Sequence, residues 1–133
     1  MTQASASPSF FPTRHSILVV DDDAGIRESI RDLLELEGYT VQTAEHGRQG
    51  LVVLQRERPC MIVLDLMMPV MDGRQFLQAL HGSGDPAASG IPVTVVTALD
   101  QARELAQRYH CEVMSKPIDP DELLEAVRRH CDC

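Results

Sequence analysis

The sequence predicts an α/β fold built as a doubly wound sheet of five parallel strands, and three observations carry that expectation. Short apolar runs recur and end on polar residues: Ile17-Leu18-Val19-Val20 on Asp21-Asp22-Asp23, Cys60-Met61-Ile62-Val63-Leu64 on Asp65, and Val93-Thr94-Val95-Val96 on Thr97. Runs of this length, bounded by polar or turn residues, read as strands buried on both faces. Apolar residues at helical spacing fill the intervals, and the links are short, so the strands are joined as parallel neighbours by right-handed crossovers.

Taken in order, the first strand is followed by a helix whose Ile26, Ile30, Leu33 and Leu34 share one face and which closes near Gly38. Tyr39 to Ala44 alternates as a short strand, with Tyr39, Val41 and Thr43 on one side. Gly47 to Arg56 gives a second helix through Leu51, Val52, Val53 and Leu54, stopped before Pro59. After the Asp65 strand, a third helix runs from about Asp72 to His81, carrying Phe76, Leu77 and Leu80. The stretch Gly82 to Gly90, made of Gly, Ser, Ala, Asp and Pro, reads as a loop. Val93 to Thr97 is the fourth strand, Asp100 to Arg108 a short fourth helix, and Val113-Met114-Ser115 a fifth strand ending at Lys116-Pro117. The last helix spans about Asp119 to His130, with acids at its start and Arg128, Arg129 and His130 in its last turn, as the helix dipole favours.

With 133 residues the chain holds one core: residues 1–14 form a flexible lead-in rich in Ser, Ala and Pro, 15–131 the domain, and 132–133 a tail. It is 44% hydrophobic and 24% charged, no run approaches a membrane span, and the lead-in lacks the pattern of a secretory signal. A cytoplasmic protein is expected. The net charge of −8 argues against nucleic acid as a direct partner and suits a cation site or basic proteins. The four cysteines, Cys60, Cys111, Cys131 and Cys133, match no disulfide framework, and a cytosolic setting would keep them reduced. The His130-Cys131-Asp132-Cys133 end offers ligands for a soft metal, against which stands the simpler reading of an incidental tail.

The strand ends hold the chemistry, because ligands in open α/β sheets bind beyond the carboxyl ends of the strands. There the sequence places Asp21, Asp22, Asp23, Asp65, Thr97 and Lys116. Carboxylates so close cannot all stay ionised without a counter-charge. Mg2+ supplies one, with oxygen ligands and room for phosphate oxygens. Lys116 adds a point charge for a phosphoryl group and Thr97 a hydrogen-bond donor. A carboxylate beside a cation and a phosphate clamp is what an aspartyl-phosphate nucleophile requires.

Together, Val20-Asp21-Asp22, Asp65 with Met68-Pro69 and Asp72-Gly73, Thr97-Ala98 and Lys116-Pro117 make the chain resemble a response-regulator receiver domain of two-component signalling, over about Ser16 to His130. The resemblance implies a flavodoxin-like (βα)5 sheet with Asp65 as phosphoacceptor. Asp21, Asp22, Asp65 and the backbone carbonyl of Met67 would bind Mg2+, Thr97 would be the switch hydroxyl, and Lys116 would contact the phosphoryl group. It further implies a cis Lys116-Pro117 bond and a Gly73 that relaxes the turn into the third helix. Independently of the resemblance, Asp23 and Asp72 read as N-caps of the helices they precede rather than as ligands. Met61, Met67, Met68 and Met71 are read as adaptable packing.

The implied function is a single-domain phosphoacceptor rather than an enzyme, with at most Mg2+-dependent self-phosphorylation from small donors and slow autodephosphorylation. A histidine kinase or phosphotransfer protein would load Asp65 and a downstream protein would read it, without membrane or direct nucleic-acid contact. A monomer or a weak phosphorylation-dependent dimer is expected. The chain ends three residues after the last helix, so output would run through protein contact. Val113 stands where the family usually has an aromatic, and the stretch from Thr97 to Lys116 is short, which leads to altered output on that face. Apolar Met67 and Leu99, at two variable positions flanking the pocket, lead to slow loss of the phosphoryl group. Two other classes are open: a phosphatase of the haloacid dehalogenase type, which would want an acid where Met67 stands, and a phosphorylation-independent interaction module on the same fold.

Overall fold

The computed structural model describes residues 16–98 and 102–131. Its strands are β1 (Ser16–Val20), β2 (Thr40–Ala44), β3 (Met61–Asp65), β4 (Val93–Thr97) and β5 (Glu112–Ser115). The helices are α1 (Ala24–Leu36), α2 (Gly47–Arg56), α3 (Gly73–Gly82), α4 (Pro86–Ser89), α5 (Ala102–Tyr109) and α6 (Pro120–Cys131). Every strand pair is parallel, in the order β2-β1-β3-β4-β5. The winding reverses between β1 and β3, which opens a crevice beyond their carboxyl ends.

Strand alternation sorts the core into two halves. Leu18, Val20, Ile62, Leu64 and Val95 face Leu54 of α2, Phe76, Leu77 and Leu80 of α3, and Leu105 of α5. Ile17, Val19, Met61, Val63 and Val96 face Ile30 and Leu34 of α1 and Leu123, Ala126 and Val127 of α6. Both faces of β1 and β3 are therefore apolar, which is why those strands read as continuous hydrophobic runs.

The helix starts follow the expected chemistry. Asp23 Oδ1 accepts from Ile26 N at 3.1 Å, and Asp72 forms a capping box with Gln75. Gly38 ends α1 at φ 93°, a left-handed conformation that favours glycine. The Lys116-Pro117 bond is cis, as the resemblance implied.

Two expectations are corrected. Within the stretch read as a loop, Pro86–Ser89 forms the short α4: Asp85 accepts from Ala87 N at 3.0 Å and pairs with Arg58, and Ala88 reaches the core. The cysteines are not all reduced. Cys60 and Cys131 form a disulfide with a Cα–Cα distance of 5.5 Å, and Cys111 is free and buried. They lie 71 residues apart, and chain spacing gives no hint of proximity because the packing of α6 sets its last residue beside the residue that precedes β3. The Cys131 sulfur is thereby unavailable as a soft-metal ligand, and Cys133 lies outside the described residues. Also outside them are the lead-in at 1–14 and Asp100, while α5 extends one residue past the expected end, to Tyr109.

Candidate functional site

β1 and β3 end side by side, and each delivers a carboxylate to the crevice. Asp21 and Asp65 are buried at 3% and 4% exposure, and Asp22 is exposed beside them. One carboxylate oxygen from each of Asp21, Asp22 and Asp65 lies within 4.8 Å of the others. From the end of β5, Lys116 Nζ reaches to 3.3 Å from Asp65 Oδ1 and 3.8 Å from Asp21 Oδ2. Thr97, buried at 3%, ends β4 one residue beyond Val96, the register partner of Asp65. Its carbonyl accepts from Lys116 N at 3.1 Å, tying the hydroxyl-bearing and ammonium-bearing strand ends together.

The electrostatics are those of an under-compensated site. Burial pushes the Asp65 carboxyl above its ordinary range against the opposing pull of the Lys116 charge and hydrogen bond and of Met67 N, 3.4 Å from Oδ1. Burial raises Asp21 as well; the bond from Asp23 N at 2.9 Å opposes it, and the Asp65 charge adds to it. One ammonium faces three acids. Hard oxygen donors at this spacing, two of them desolvated, fit a small divalent cation such as Mg2+.

The surrounding loops hold this arrangement. Arg27 on α1 donates from Nη1 to the Asp21 carbonyl at 2.8 Å, fixing the turn that carries Asp21 and Asp22. A Cβ at Gly73 would stand 2.7 Å from the Asp65 carbonyl oxygen and 2.8 Å from Leu66 Cα, and Gly73 N donates to Leu66 O at 3.0 Å. Glycine is required there for space rather than for the relaxed turn expected from sequence. Val70, in the loop between β3 and α3, holds φ 67°, a strained conformation for a β-branched residue. Neither the Arg27 bond nor the Val70 backbone carries a sequence signal.

Asp21, Asp22, Asp65 and Lys116 are thus brought together, with Thr97 on the adjoining strand end. Of the four methionines read as packing, Met61 and Met68 are core and Met71 packs against it, whereas Met67 is 64% exposed and does not pack. Leu99 lies outside the described residues. Val113, expected as a poor switch residue, is 37% exposed on β5.

Fold and site together define a doubly wound α/β protein with an acidic, lysine-faced crevice at its topological switch point. The family model of the response regulator receiver domain matches residues 17–128, and the chain belongs to that family, the receiver domains of two-component systems. Response regulator MprA of Mycolicibacterium vanbaalenii is 38% identical over 115 residues, 84% of this chain and 48% of that protein. The chain spans about half the length of the curated relatives it matches. Among solved structures, the chemotaxis protein CheY4 of Vibrio cholerae superposes with a TM-score of 0.78 at 29% identity, covering 86% of this chain and 97% of that one. The receiver domain of the Francisella response regulator 1452 gives 0.79 at 28%, covering 88% and 96%. Among the described residues no helix is long and apolar enough to cross a membrane.

Proposed function

We propose that the domain accepts a phosphoryl group on Asp65 and signals by changing its affinity for a protein partner. The observation that carries this reading is the approach of Lys116 Nζ to 3.3 Å from Asp65 Oδ1, with carboxylates of Asp21 and Asp22 grouped around the same point. Asp21, Asp22, Asp65 and the Met67 carbonyl would hold Mg2+, which when bound neutralises the acids and draws phosphoryl oxygens into line. Asp65 attacks phosphorus, the bond to the donor's imidazole nitrogen breaks, and the electron pair leaves with that ring. Lys116 meets charge on the transferred oxygens, and Thr97 donates a hydrogen bond to one of them. These contacts exist only with the phosphoryl group present, so they supply the differential free energy that shifts the conformational equilibrium.

The donor is a histidine kinase or phosphotransfer protein, with small acyl phosphates as slower substitutes, and Asp65 loses the group slowly. The net charge of −8 supports a protein target rather than nucleic acid or membrane. The family supports a cytoplasmic setting, and a monomer or weak phosphorylation-dependent dimer completes the proposal. Val113, in place of a ring, would alter how the β5 face reports the change.

Intact-mass analysis after incubation with acetyl phosphate and Mg2+ tests the reading. One added phosphoryl group, lost in Asp65→Asn and without Mg2+, is the expected result. No addition from either acetyl phosphate or a phosphohistidine donor would overturn it, and partner binding that survives Asp65→Asn would favour an interaction module working without phosphorylation.

A further inference from the structure

We propose that Cys60 and Cys131 form a redox-exchanged pair, a modification site at which a low-molecular-weight disulfide oxidises the domain and a dithiol reduces it, with α6 as the responding element. The bridge joins the residue before β3 to the last residue of α6. It lies at the amino edge of the sheet, separated from Asp65 by the length of β3, about 16 Å at the usual rise per residue. The inference does not depend on phosphoryl chemistry in the acidic crevice.

Both redox states have a place in this fold. Cys60 is the more accessible of the two, half-buried where Cys131 is only 5% exposed, and is therefore the residue at which exchange with an external disulfide would begin. On reduction, the Cys60 thiol finds an acceptor already in position, since its Sγ stands 3.1 Å from the Ser16 carbonyl oxygen. Cys131 then remains among Met61, Leu124 and Val127 as a small apolar side chain, an environment that a neutral thiol tolerates well. Opening the bridge therefore strands no buried polar group. α6 would still be held by its apolar face and by the pairings of His130 with Glu112 and of Arg128 with Glu37.

The exchange balances without further reagents. The thiolate of Cys60 attacks one sulfur of an external disulfide R–S–S–R and expels one thiol. Cys131 then attacks the mixed disulfide and expels the second, so two hydrogens pass from the protein to 2 RSH. The reverse sequence restores the dithiol. Closing a loop of 71 residues restricts the unfolded chain strongly, so the oxidised form should melt higher by on the order of 10 °C.

The test uses the full chain, reduced and then exposed to oxidised glutathione under native conditions, followed by alkylation, peptide mapping and thermal melting. The expected result is protection of Cys60 and Cys131 together, the rise in melting temperature, and recovery of both thiols with dithiothreitol in the absence of denaturant. The melting shift should vanish in Cys60→Ala and in Cys131→Ala and persist in Cys111→Ala. Failure to bridge, pairing of Cys131 with another cysteine, or a bridge that opens only in denaturant would each overturn the proposal.

Discussion

Two carboxylate sites at opposite edges of the sheet, the Asp21–Asp65 group and Glu112 with its cationic partners, use the same chemistry to opposite effect. At the carboxyl edge of the sheet, Asp21 and Asp65 are buried with one lysine between them, and burial lifts both above the usual carboxylate range. On β5, burial also pushes Glu112 upward, but the hydrogen bond from His130 and the Arg129 charge outweigh it and hold Glu112 below its ordinary value. Glu112 Oε1 lies 3.0 Å from His130 Nε2 and 3.4 Å from Thr94 Oγ1. The second cluster is complete within the chain; the first waits for something from outside. On the proposed reading, in which the site accepts a cation and a phosphoryl group, this shortage of counter-charge is functional and is expected to cost stability.

Disturbing the pocket should therefore do more to activity than to folding. Asp65→Asn is expected to abolish phosphoryl incorporation, the largest effect, and yet to raise the melting temperature of the metal-free protein, by about 1–3 kcal/mol of stability if one buried charge was incompletely compensated. The sign follows from linkage. With its folded value raised, Asp65 costs nothing below its ordinary value of 3.8 and becomes a penalty as pH rises through the folded value. The gain from Asp65→Asn should accordingly grow between acid and neutral pH, and Mg2+ should shrink it. A variant that melts lower than wild type across that range would contradict the account.

Gly73→Ala comes next. The added methyl meets the Asp65 carbonyl oxygen at 2.7 Å, and because that neighbour is backbone and cannot swing aside, β3 or α3 must shift. About 1–3 kcal/mol of destabilisation is expected from overpacking, together with weaker Mg2+ binding because the displaced residue is itself a proposed ligand. Denaturant midpoints with and without Mg2+ separate the two, and a loss of stability with unchanged Mg2+ affinity would confine the role of Gly73 to packing.

This contrast also explains what could be read in advance. The acidic pocket was legible because strands that are apolar on both faces announce themselves as runs, and the residue that ends each run falls at one edge of the sheet. Asp21, Asp65, Thr97 and Lys116 each inherit their position from the strand before them. Nothing of that kind announces Glu112. It starts a strand that is exposed at alternate positions, and its partners lie 17 and 18 residues away on α6, so only the packing of α6 against β5 brings them together. The Cys60–Cys131 bridge carries no sequence signal for the same reason, whereas the bond from Arg27 to the Asp21 carbonyl spans only six residues and turns on where one long side chain reaches. The pocket is built from strand ends, whose order the sequence pattern carries, and the Glu112 and Cys131 contacts from the docking of α6, which local pattern does not encode.

The smallest effect is expected at Glu112, and it probes the opposite half of the contrast. Its side chain is 42% exposed, so its pairings with Arg129 and His130 are worth only what surface ion pairs are, about 0.5–1 kcal/mol. Because its folded value lies below the ordinary 4.5, that contribution is present above about pH 4.5 and is lost as pH falls through the folded value. Glu112→Gln should thus destabilise slightly at neutral pH, have less effect as the solution is acidified, and leave phosphoryl incorporation unchanged. The pH trend is opposite in sign to that of Asp65→Asn, which stabilises more as pH rises. Melting curves of the two variants against wild type, taken from acid to neutral pH, should diverge in opposite directions. Curves that moved together would mean that both clusters answer to the net charge of the chain, and that the distinction between a completed and a waiting carboxylate site is wrong.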